Sequence, residues 1–177
     1  MKDIYPHEGE PINVERLSFA PEDAALAVGA VSYYVSSSTR TLEANWDSEG
    51  YHGMVAGVDS ALEDLGGLAA FVVHGNDLAT KLAAHHADPS QPVELTDSDI
   101  EMMGYSLFRF GNDGCRYAYR ALQHEAVWTG STESQEKEFD VIELRQRQSK
   151  KIFMSLEPLA QAKGLSWMEW SSGSASN

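Results

Sequence analysis

The chain of 177 residues is 42% hydrophobic and 23% charged, a balance that supports one buried core and excludes an intrinsically disordered chain. Its formal net charge of −14 argues against direct binding to nucleic-acid phosphates or anionic membrane surfaces, and favours a protein partner of basic character. The single cysteine excludes an internal disulfide and a thiolate metal cluster, so no oxidising compartment is required.

The charge is unevenly placed. Residues 1–99 hold 17 acidic and 4 basic side chains, and residues 100–177 hold 10 and 9. The near-neutral half is therefore expected to dock on the acidic half, in the same chain or in a second copy. Residues 1–16 carry little to bury and are expected to be loosely held. They contain no basic stretch followed by an apolar run, which makes a cytoplasmic location the expectation.

Residues 17–165 are expected to form a single helical domain. Pro21 suits a first helical position, with Glu22 and Asp23 placed where a helix N-terminus favours negative charge. Val28, Val31, Val35, Leu42 and Trp46 then recur at helical spacing. After SEGYHG, a second stripe runs through Met54, Val55, Val58, Leu62 and Leu65, and Gly66-Gly67 is expected to end or bend that helix. A third stripe runs through Leu68, Phe71, Val72, Leu78, Leu82 and His86.

The two prolines of ADPSQPVEL mark a connector. Thr96 with Asp99 forms a capping signal ahead of Ile100, Met103 and Leu107. FGNDG is read as a break, followed by a stripe of Cys115, Ala118, Tyr119, Leu122 and Ala126. The last segment runs from about Ser134 to Ala162 with Phe139, Ile142, Ile152, Phe153 and Leu156 apolar, and Pro158 argues for a kink or stop near its end. The fold expected is all-α, an irregular bundle of about five or six helices. The alternative is α+β with a hairpin around residues 105–120, because Asn-Asp-Gly is good turn chemistry. Residues 166–177 form a tail.

The most informative stretch chemically is NDGCRYAYRALQHEAVW, residues 112–128. On a helix, Cys115 falls on the apolar side, whereas Arg116, Arg120 and His124 repeat every four residues as a separate row. That separation argues against a Cys-His nucleophilic pair, which needs both groups within hydrogen-bond reach. The spacing also fails the Arg-to-His pattern of the helical ribonucleases. Two stacked guanidinium groups call for something anionic: carboxylates of the N-terminal half first, a bound phosphate or acidic partner segment second.

His74, Asp77 and His85 share a helical side, but Lys81 lies between them and weakens any cation site. There is no HExxH, so no metal and no cofactor is expected. The many carboxylate pairs suit a wetted surface, and none stands out as a general acid.

The turn NWDSEG, between two helical stripes, resembles the Trp-x-Gly turn of a small secreted helical-hairpin family over about residues 21–87. Trp46 is followed by Asp47-Ser48, glycine comes only at Gly50, and the Tyr-x-x-x-Asp/Glu export tail of that family is missing. What the resemblance implies is a helical-hairpin core that pairs with another protein. Trp167 and Trp170 either fold back onto the body or anchor a partner. The sequence thus points to a non-enzymatic, acidic protein–protein interaction or assembly protein, with homo-oligomerisation a fair expectation. Two other readings compete with it: an acidic inhibitor that imitates DNA phosphates against a basic nucleic-acid-binding protein, and a small hydrolase or nuclease with a His/carboxylate site. The candidate binding residues are Arg116, Arg120, His124, Trp167 and Trp170.

Overall fold

The computed structural model describes residues 13–46, 58–129 and 132–165, with side chains at 13–40, 69–127 and 132–165. The SEGYHG turn, Met54, Val55, Trp167 and Trp170 lie outside these residues. In chain order the elements are β1 (Val14–Leu17), α1 (Pro21–Trp46), α2 (Val58–Ala87), β2 (Val93–Thr96), α3 (Asp97–Arg109), a π turn (Phe110–Gly114), α4 (Cys115–Thr129) and α5 (Glu133–Lys163). Because α3, the π turn and α4 are continuous, the described residues form four helical rods and one two-stranded sheet. The all-α class holds broadly, with four helical rods among the described residues where five or six helices were expected.

Local chemistry sets the boundaries. Thr96 and Asp99 form the expected capping box: the Asp99 N–H donates to Thr96 Oγ1 at 3.1 Å, and the Thr96 N–H donates to Asp99 Oδ2 at 2.9 Å. Thr132 and Gln135 repeat the arrangement at the start of α5. That helix ends at Gly164, whose φ of 66° is the left-handed conformation a helix stop requires. Pro158 does not stop α5, which continues through it to Lys163.

Three sequence expectations are corrected. Of the end or bend expected at Gly66-Gly67, the end is excluded, since α2 runs from Val58 to Ala87. FGNDG does not break the chain, and no hairpin lies at 105–120, because those residues are helical throughout. A π turn takes up the extra residue without reversing direction. Its two glycines permit close approach: a Cβ on Gly114 would lie 3.2 Å from the Tyr33 ring, and one on Gly111 would lie 3.4 Å from Ser149 Oγ. The strands come from elsewhere. Val14–Leu17, partly assigned to the loose N-terminal segment, pairs antiparallel with Val93–Thr96 in the register Val14 to Thr96.

The core draws on α1, α2, β2, α3 and α5. Val31, Leu78, Leu82, Leu95, Ile100, Met103, Leu107 and Ile152 are all fully buried, each large apolar side chain contributing about 1.5–3 kcal/mol. His85, rather than His86, continues the buried stripe of α2. By contrast, among its described side chains α4 contributes only Cys115 to the buried residues, and it packs chiefly on α5. With the N-terminal half of α5 it makes a two-helix arm. The seam is thin: Tyr119, Leu122 and Ala126 of α4 and Phe139 and Ile142 of α5 are only partly buried, and the Tyr119 and Phe139 ring centroids lie 4.8 Å apart. Ala118, expected in that stripe, is exposed.

Candidate functional site

Two arrangements of polar side chains stand out, one in the body and one on the arm. In the body, α2 carries His74 and Lys81 on the side that meets the start of α3. His74 Nε2 lies 2.9 Å from Asp99 Oδ1, and Lys81 Nζ donates to Asp99 Oδ2 at 2.7 Å. The Asp99 side chain is 2% exposed. Burial alone would raise its pKa, but hydrogen bonds from His74, Lys81 and the Thr96 N–H outweigh that and hold it well below the usual carboxylate range. A general acid needs the opposite shift. The cluster therefore fastens α2 to the β2–α3 corner and is poorly suited to proton transfer.

His85 performs a similar task nearby. Its geometry assigns the hydrogen to Nδ1, which donates to the Gln91 carbonyl at 2.6 Å, while Nε2 accepts the Phe19 N–H at 3.0 Å. His86 Nδ1 meets the Pro21 carbonyl at 2.8 Å. Of His74, Asp77 and His85, expected to share a helical side, His85 is buried, His74 is half-buried and Asp77 is exposed, and Lys81 joins His74 on one carboxylate. Among the described residues, no group of three or more His, Cys, Asp and Glu side chains is placed to hold a metal ion.

The arm carries the predicted row. Arg116, Arg120 and His124 are all exposed on α4. They line an open groove between α4 and α5, made of two adjoining hollows that share Tyr119, Arg120 and Gln123. The hollow nearer the body, of about 600 Å³, also holds Arg116, Gln146, Glu143 and Arg147. The outer hollow, of about 670 Å³, also holds His124, Val127 and Phe139. The two acids at the inner end already have partners: Glu143 pairs with Arg147 at 3.0 Å, and Asp113 with Arg109 at 2.9 Å.

Among the described residues, neither Arg116 nor Arg120 has an ion-pair partner. Among the described residues, no carboxylate of the N-terminal half pairs with Arg116 or Arg120. The contacts between the halves are made by other residues. Asp23 accepts from Gln148 Nε2 at 2.9 Å and from Lys151 Nζ at 3.3 Å. Lys163 Nζ bridges Glu15 at 3.0 Å and Asp97 at 2.7 Å. The two carboxylates favour the charged ammonium and raise the Lys163 pKa.

Cys115 sits at the base of the inner hollow, 4% exposed. Burial raises its thiol pKa, with Arg145 opposing the shift in part. His124 is nine residues further along α4, about 13 Å by helical rise, so the two do not form a catalytic pair. The arm also presents apolar surface outward: Tyr117 is 68% exposed, Leu144 63% and Val127 81%. No helix among the described residues is long and apolar enough to cross a membrane. No protein-family description, curated protein or solved structure matches the chain.

Proposed function

We propose that this chain is an acidic helical assembly protein that binds another protein through the α4–α5 arm. The observation that carries the reading is the arm itself. It stands outside the core on a thin seam, exposes Tyr117, Val127 and Leu144, and keeps two guanidinium groups with no ion-pair partner among the described residues beside an open groove. Large aromatic and arginine side chains on a protruding helical face are the residue types that anchor protein interfaces. A two-helix layer with an uncovered outer face gains most from a partner that supplies the missing layer.

The test uses proteins retained from the native source by the immobilised full chain. Tyr117→Asp with Leu144→Asp is expected to lose a protein that the wild type retains. Val73→Asp, at an exposed position of the body, is expected to keep it. Equal retention by the arm variant and the wild type would remove the arm from the interface.

A further inference from the structure

We infer that the arginine groove of the arm receives the acidic segment 43–64 of a second copy of this chain. The inference rests on the assembly reading above and adds the identity of the occupant. Its basis is charge complementarity. Arg116 and Arg120 lie four residues apart on α4, with Arg147 on the opposite wall, and the carboxylates at the groove's inner end are already paired with Arg109 and Arg147. Residues 41–66 contain Glu43, Asp47, Glu49, Asp59, Glu63 and Asp64 and neither lysine nor arginine.

The spacing also matches. Asp59 and Glu63 are four residues apart within α2, as Arg116 and Arg120 are within α4, and each pair spans a helical rise of about 6 Å. In a symmetric dimer each copy offers one groove and one acidic segment, so the groove–segment contact forms twice. Two copies of formal charge −14 repel at long range, but that repulsion is screened beyond about 8 Å at physiological salt, and facing charges decide at contact.

The experiment measures molecular mass by sedimentation over protein concentration, at about 50 mM and about 500 mM NaCl, with helicity checked by circular dichroism. The wild type is expected to form a dimer whose dissociation constant rises about tenfold or more at the higher salt. Arg116→Glu with Arg120→Glu is expected to abolish it, as is Asp59→Lys with Glu63→Lys. An equimolar mixture of the two variants is expected to restore the dimer, because both reversed faces then meet their complements. Should charge reversal disturb helicity, the neutral pair Arg116→Gln with Arg120→Gln is expected to weaken the dimer in the same direction.

A wild type that stays monomeric throughout, or a dimer indifferent to these substitutions, overturns the inference. If such a monomer still retains another protein through the arm, the assembly reading stands and only the second copy is removed. If arm-dependent retention is also absent, both fall.

Discussion

Asp99 is a carboxylate with only 2% of its side chain exposed, so every lone pair that water would have served needs a donor from the protein. It receives three, from His74, Lys81 and the Thr96 N–H, and its depressed pKa is the measure of that satisfaction. A carboxylate whose folded pKa lies below its unfolded value contributes stability above about pH 4. That contribution is lost as pH falls through the unfolded value toward the folded one. Asp99→Asn is therefore expected to cost about 2–4 kcal/mol in urea unfolding at pH 7, because the Lys81 ammonium loses its charged acceptor and the hydrogen bonds from His74 and the Thr96 N–H lose a carboxylate. The gap between variant and wild type is expected to narrow below about pH 4. A gap that stays constant from pH 7 to pH 3 would show that the charge of Asp99 is immaterial. Half of this device was legible: Thr96 with Asp99 is a local capping pattern, readable over three residues. The other half was not, since His74 and Lys81 reach Asp99 only after the chain has turned back at residues 88–92.

At the scale of elements, α1 and α2 come close together at Gly75, which is buried. A Cβ there would collide with the Val35 methyl Cγ2, and a β-branched valine in a helix has little rotamer freedom to yield. Gly75→Ala is expected to destabilise the fold by about 1–3 kcal/mol despite alanine's better helix propensity, as overpacking at a close contact does. A thermal melt decides the sign, and stabilisation would mean that α1 and α2 can separate at this point without loss. The same geometry explains where sequence reading of elements succeeded and failed. Ile100, Met103 and Leu107 are buried as their spacing predicted, because helical periodicity is local. FGNDG misled because glycine and Asn-Asp chemistry favours turns in isolation. Here Gly111 and Gly114 instead let α5 and Tyr33 of α1 press against the helix. Ser149 Oγ donates to the Leu107 carbonyl at 2.7 Å and Gln146 Nε2 donates to the Gly111 carbonyl at 3.1 Å, satisfying acceptors around the π turn. The strand Val14–Leu17 had no local signal at all, being four residues long with its partner nearly eighty positions away.

Over the whole molecule, a layered body and a single-layer arm imply two different stabilities in one chain. The body buries side chains from four helices and a strand, and it is strapped at its edges by Lys163 between Glu15 and Asp97 and by Lys151 on Asp23. The arm has the Tyr119–Phe139 contact and the partly buried Leu122, Ala126 and Ile142, and among the described residues little else beyond the π turn holds α4 down. Helices of this length are marginal in water without tertiary packing, so the arm should open locally without the body unfolding. Native-state hydrogen exchange tests this directly. Amides of residues 118–127 and 136–145 are expected to exchange about a hundredfold or more faster than those of residues 100–107. The slow set should report global unfolding and respond to Gly75→Ala, whereas the fast set should not. Equal protection in both regions of the isolated chain would mean that the seam alone stabilises the arm, and the physical case for a partner covering it would fail. If the fast set slows as protein concentration rises, and does so less at high salt, the partner supplying the missing layer is a second copy. Protection that appears only with an added protein assigns that role to a different chain.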